Sequence, residues 1–170
     1  MLLFLIFIFF DLNEILKGFE ENLYFVSKFI QRYEVSPNNV IEESGEVIFN
    51  FKKGIKFNYT GNEKKSFIIN EDGFYSKEGE GEWNFTQWDV ESEEYKFFVL
   101  LINGKIEEKN GIIVEKKKKE YIISSEKPNF KIILDKKNFY PLKFFIKLKN
   151  GSLNYFEFKN HKRIYKEIKI

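Results

Sequence analysis

One histidine, His161, is the natural first candidate for chemistry, because a general base near neutral pH needs an imidazole or a shifted carboxylate. It lies in the polar run Asn160-His161-Lys162-Arg163 and reads as an exposed tail residue. A serine hydrolase of the common kind carries Gly-x-Ser-x-Gly and a zinc protease His-Glu-x-x-His; neither motif is present. The aspartates Asp11, Asp72, Asp89 and Asp135 each stand beside a turn or an element end, where capping and turn roles account for them. The pairs Glu42-Glu43, Glu93-Glu94 and Glu107-Glu108 have the groups for acid–base or metal chemistry but read as solvated loop charges. Gly79-Glu80-Gly81 lacks the strand–turn–helix setting of a phosphate cradle, and its carboxylate repels phosphate. Lys116–Lys119 falls between two predicted strands and reads as a solvated hairpin tip. With no cysteine there is no disulfide, no thiolate nucleophile and no Cys-ligated metal. The expectation is a protein that is not an enzyme and uses no cofactor and no metal.

The elements explain what the chain is built for instead. At 170 residues it fits one domain, and 43% hydrophobic with 32% charged residues is the balance of a globular protein. A net charge of only +2 gives no field that argues for nucleic acid. Met1–Phe10 is unbroken apolar sequence, long enough for the core of an export signal and too short to span a bilayer. The domain proper then covers 11–170. Leu12, Ile15, Leu16, Phe19 and Leu23 form one helical stripe behind Asp11 as N-cap; the periodicity extends to Ile30, or switches to a strand near Val26.

From Gly45 the period becomes two. Val47, Phe49 and Phe51 alternate with polar neighbours, as do Ile55, Phe57 and Tyr59; Phe67 and Ile69 follow, then a turn at Asn70–Gly73, then Trp83 and Phe85. Tyr95, Phe98, Val99, Leu101 and Ile102 fit a short amphipathic helix or a buried strand. Strands are expected at Ile112–Glu115, Glu120–Ser124, Phe130–Leu134, Tyr140–Lys149 and Leu153–Phe158, with turns at Asn110-Gly111 and Asn150-Gly151. The fold class is α+β, mainly one antiparallel sheet. Periodicity does not separate a packed inner face from one that lines a cavity, since both need alternation.

This order of motifs resembles the outer-membrane lipoprotein carrier proteins, the LolA-like family. The resemblance runs from about Leu12 to Asn160. It rests on Ser27-Lys28-Phe29-Ile30-Gln31, where a small residue, Phe and Gln alternate, and on the run from Gly45 through Lys53-Gly54 to Tyr59. It continues through Phe67–Gly73, the segment Phe97–Ile102 and the closing pair Leu142–Lys149 and Phe156–Asn160. Gly54 stands where the family usually has Pro, and Lys53 where it often has Arg. The resemblance implies an incomplete, unclosed β-barrel with an N-terminal helix and a short lid helix over its open side. Its apolar cavity would be lined by Phe29, Phe49, Phe51, Phe57, Tyr59, Phe67, Ile69, Trp83, Phe85, Phe144 and Ile146. Phe98, Val99, Leu101 and Ile102 would form the lid, and Lys53 would contact it. The implied function is a monomeric periplasmic carrier, a chaperone for lipoprotein transport in outer-membrane biogenesis. Its partners would be acylated lipoproteins, an inner-membrane lipoprotein-releasing ABC transporter, and an outer-membrane receptor or the membrane surface. A periplasmic sensor that binds lipid or lipoprotein on the same scaffold is the other reading; a large exposed apolar patch away from the cavity would favour it.

Overall fold

The computed structural model describes residues 24–36, 38–50, 53–92, 95, 111–127, 129–148 and 150–165. They form eleven strands in one sheet: β1 (Tyr24–Ser36), β2 (Asn39–Asn50), β3 (Gly54–Tyr59), β4 (Lys65–Ile69), β5 (Gly73–Glu78), β6 (Asn84–Gln87), β7 (Ile112–Lys116), β8 (Glu120–Glu126), β9 (Asn129–Asp135), β10 (Pro141–Lys147) and β11 (Leu153–Ile164). The spatial order is β6-β5-β4-β3-β2-β1-β11-β10-β9-β8-β7, with every neighbouring pair antiparallel. Two meanders therefore meet at a seam between β1 and β11. The sheet does not close on itself: β6 and β7 are its two ends, and the stretch 88–111 leads from one to the other.

Strand alternation sends one set of side chains to an inner, buried face. Phe25, Ser27 and Phe29 of β1 stand opposite Phe49, Val47 and Gly45 of β2, which in turn face Ile55, Phe57 and Tyr59 of β3. Across the seam Phe29 faces Phe158 and Gln31 faces Phe156, and Phe156 faces Phe144 of β10. Ile48, which breaks the alternation in sequence, points outward and lies half-buried between Val26 and Lys56.

Two glycines are required by this geometry. A Cβ on Gly45 would meet the Asn58 carbonyl oxygen and the Phe29 ring, so its absence lets that ring lie over the strand. Gly54 has φ +135° and would drive a Cβ into the Ile69 carbonyl oxygen. Proline, fixed near φ −65°, does not fit there, which accounts for this departure from the family pattern.

The structure changes several expectations. The helical pattern does not run to Ile30, because β1 is already a strand at Tyr24. Its two hydrogen-bonded neighbours outweigh a local helical period that competes with them. The sheet also gains β5, invisible in sequence because Phe74 and Tyr75 are adjacent rather than alternating. β2 starts at Asn39, before the expected Gly45, so Glu42 and Glu43 belong to a strand and not a loop. The helical stripe at 11–23, Met1–Phe10 and Phe51 lie outside the described residues. So does the expected lid, apart from Tyr95, whose N–H donates to Ser92 Oγ at 3.1 Å. No helix among the described residues is long and apolar enough to cross a membrane.

Candidate ligand-binding face

The centre of the inner face is an aromatic block. Phe49 is fully buried and meets Phe158 at 5.2 Å, Phe144 at 5.9 Å and Phe57 at 6.5 Å, all edge to face. Phe29 meets Tyr59 at 4.9 Å and Phe57 at 5.4 Å in the same manner. Such pairs match the positive ring edge to the negative ring face, and they add to the stabilisation from burial. Of the residues expected to line a cavity, Phe29, Phe49, Phe57, Tyr59, Ile69, Phe144 and Ile146 are all on this face and buried.

Toward β6 the same face loosens. Tyr59 leads to Phe67 at 5.4 Å and Phe67 to Phe74 at 5.3 Å, and both phenylalanines are only half-buried. Trp88 follows, half-buried, its ring nitrogen donating to the Asn70 carbonyl at 2.8 Å and its ring 5.6 Å from Tyr95. This aromatic run from the packed centre to the open margin is the structure's clearest contact surface for an apolar ligand.

Two expected lining residues lie elsewhere. Phe85 is 53% exposed and stands opposite Tyr75 on the outer face, ring to ring at 4.8 Å. Trp83 is 41% exposed, precedes β6, and has the Lys56 ammonium over its ring at 6.0 Å. Thr86, opposite Phe74, takes the inner position that the apolar pair Trp83 and Phe85 was expected to hold. Lys53 sits at the β2–β3 turn with its ammonium 6.0 Å from the Tyr24 ring; the lid it was expected to touch lies outside the described residues. Sequence reasoning missed Phe25, Phe74, Phe156 and Phe158. The last two fall within the expected strand Leu153–Phe158, where they alternate with Tyr155 and Glu157.

One end of the inner face is polar. Tyr59 donates its hydroxyl to Gln31 Oε1 at 2.5 Å, and the Gln31 amide donates to Asn154 Oδ1 at 3.0 Å. Beside them Lys65 pairs with Glu43 at 2.6 Å, its ammonium 4.7 Å from the Tyr59 ring centre. Burial, with the Glu43 and Tyr33 charges as smaller contributions, holds the Tyr59 phenol above its ordinary range, so it remains a neutral donor. The alternating Ser27, Phe29 and Gln31 thus point inward together: one into the seam, one into the aromatic block and one into this network.

His161 is not an exposed tail residue. β11 carries two residues, Asn160 and His161, opposite the single Ser27 of β1, and Asn160 takes φ 56°. This bulge turns the imidazole inward. Its Nδ1 lies 2.6 Å from Ser27 Oγ, and the ring stacks on Tyr140 at 4.8 Å and 12°. Burial lowers its pKa from the ordinary 6.5, against an opposing pull from Asp135. Ser27 is only 1% exposed, so this serine–histidine pair presents no hydroxyl to solvent.

Among the described residues, clefts open on the outer face. One, of about 430 Å³, lies over Gly45 between Lys28, Glu46, Thr60 and Lys159; another, of about 340 Å³, lies among Ile113, Lys131, Phe145, Lys147 and Leu153. Asp89 and Asp135 do have turn roles, accepting from the N–H of Glu91 and from those of Lys137 and Asn138.

No family model and no curated protein matches the chain. Among solved structures it is similar to an uncharacterized conserved protein from Thermus thermophilus, at 12% identity and TM-score 0.54 over 91% of this chain and 88% of that one. That likeness shows a shared fold. A LolA superfamily protein from Nitrosomonas europaea also superposes, at 8% identity and TM-score 0.45 over 91% and 92%. So does MucB in the Pseudomonas aeruginosa MucA/MucB complex, at 10% identity and TM-score 0.47 over 89% of this chain and 55% of that one.

Proposed function

We propose that this protein binds the acyl chains of lipoproteins against the inner face of its open sheet and carries them through the periplasm from inner to outer membrane. The observation that carries the reading is the aromatic run from buried Tyr59 to half-buried Phe67 and Phe74, which continues the packed block toward a sheet margin that does not close among the described residues. An acyl chain lying along it gains about 0.8 kcal/mol for each CH₂ removed from water. The Phe67 and Phe74 rings are only half-buried, so a chain is covered without a tight fit and is released without an energy source in the carrier. Met1–Phe10 would direct export, and the segment at 94–102 would act as lid, with Lys53 beside it. A releasing ABC transporter at the inner membrane, and a receptor or the membrane surface at the outer one, are the partners such a route requires.

Displacement of a fluorescent apolar probe by an acylated peptide tests this. Parent protein should bind the probe and release it to the peptide, and Phe67→Ala and Phe74→Ala should each weaken probe binding. A parent that takes up no probe would overturn the carrier reading. A second reading, a periplasmic sensor that engages a protein partner, is favoured by the exposed apolar residues Trp83, Phe85 and Val90, which lie away from the inner aromatic block.

A further inference from the structure

The two ends of the sheet are guarded differently. β7 ends in Glu115 and Lys116 and runs into Lys117, Lys118 and Lys119, the charged dressing that keeps strands from adding to an edge. β6 reads Asn84-Phe85-Thr86-Gln87, with all four residues exposed and no charge, proline or bulge. Among the described residues its pairing with β5 uses one edge of the strand, and the backbone groups on its other edge are left to water or to another strand.

We propose that β6 pairs antiparallel with β6 of a second copy, joining two sheets edge to edge about a two-fold axis through Phe85. This register keeps both outer faces on the same side and sets Phe85, the one large apolar residue of the strand, on the axis. Phe85 then stands opposite the partner's Phe85, and Asn84 opposite the partner's Thr86. Tyr75 already lies 4.8 Å from Phe85, so the join makes an unbroken outer row Tyr75–Phe85–Phe85–Tyr75 across the axis. A two-fold axis sets the residue on it against itself, and a charge there would repel its own copy. β6 is uncharged throughout, so self-pairing places no like charges in register. An extended peptide would also satisfy the backbone groups, but only self-pairing completes this aromatic row from residues already in the chain. A strand of four residues buries far less than the roughly 1,200 Å² of a stable complex, so the dimer is weak and forms only at high concentration. The expected monomer is then the dilute form.

Sedimentation equilibrium of the full chain between about 1 and 500 μM tests the proposal over the range in which so small a contact associates. The weight-average mass should climb from 20.5 kDa toward twice that value. Phe85→Lys and Phe85→Glu should each stay at the monomer mass, and an equimolar mixture of the two should recover the rise, because opposite charges then meet on the axis. Phe85 is half exposed, so both variants should keep the parent circular dichroism and melting temperature. A parent that stays monomeric at every concentration, a Lys variant that associates like the parent, or a mixture that fails to recover would each overturn the pairing.

Discussion

Phe49 and Phe67 lie two strands apart on the same face of one sheet, yet they do different work. Phe49 has strands on both sides for several places and is closed in by Phe57, Phe144 and Phe158. Among the described residues Phe67 has only β5 and β6 beyond it, touches Tyr59 and Phe74, and stays half-buried. A side chain at the seam of two meanders gathers neighbours from both, whereas one near an open end does not. An unclosed sheet can thus hold itself together at its middle and offer aromatic surface at its margin. Stability and ligand contact are thereby assigned to different strands.

The largest effect that would break this division concerns the centre. Phe49→Ala should cost about 3–5 kcal/mol in urea unfolding, because it opens a void among three rings that cannot all collapse into it. A cost under about 1 kcal/mol would mean that the centre is already hollow. At the margin, Phe67→Ala should cost only about 1–2 kcal/mol, since part of the ring is already in water. Its main consequence should be weaker probe binding, a property that Phe49→Ala changes only through loss of fold.

Two buried tyrosines sharpen the comparison on a smaller scale. The Tyr59 hydroxyl donates to Gln31, so Tyr59→Phe should destabilise by about 1 kcal/mol. The Tyr24 hydroxyl is buried with no hydrogen-bond partner among the described residues, so Tyr24→Phe should be neutral or stabilising by a similar amount. Thermal melts of both variants check the pair, and equal losses would show that Tyr24 has a partner after all.

Much of this division was legible in the chain. The alternation of Val47, Phe49 and Ile55, Phe57 located the inner face, and Asn70–Gly73 and Asn150-Gly151 located turns: Asn70 Oδ1 accepts from the N–H groups of Asp72 and Gly73, and Gly151 takes φ 86°. What alternation could not give was depth. It assigns Phe49 and Phe67 to the same side and says nothing of how many strands flank each one. It also fails where parity is reset: the bulge at Asn160-His161 turned a polar run into part of the seam. β5 escaped because Phe74 and Tyr75, neighbours in sequence, face opposite ways, one onto the inner face and the other toward Phe85.

That bulge supports the last prediction, whose effect is a slope with pH. His161 lies at the β1–β11 seam, hydrogen-bonded to Ser27 and stacked on Tyr140, and burial lowers its pKa in the folded chain. Asp135 pulls the pKa upward against this burial, and the Arg163 guanidinium lies 5.8 Å from the same Tyr140 ring. Between the lowered folded value and 6.5 the unfolded chain binds more protons than the folded one. Stability therefore rises with pH across that window: the contribution is complete above 6.5 and is lost as pH falls toward the folded value. His161→Gln keeps a hydrogen-bonding group near Ser27 but cannot titrate. Urea unfolding of parent and variant from pH 7.5 down to about 5 should show a stability difference that shrinks or reverses as the pH falls. Probe binding at the margin, several strands away, should not follow it. A constant difference would show that the imidazole does not titrate in the seam. A matching change in probe binding would show that centre and margin are coupled rather than separate.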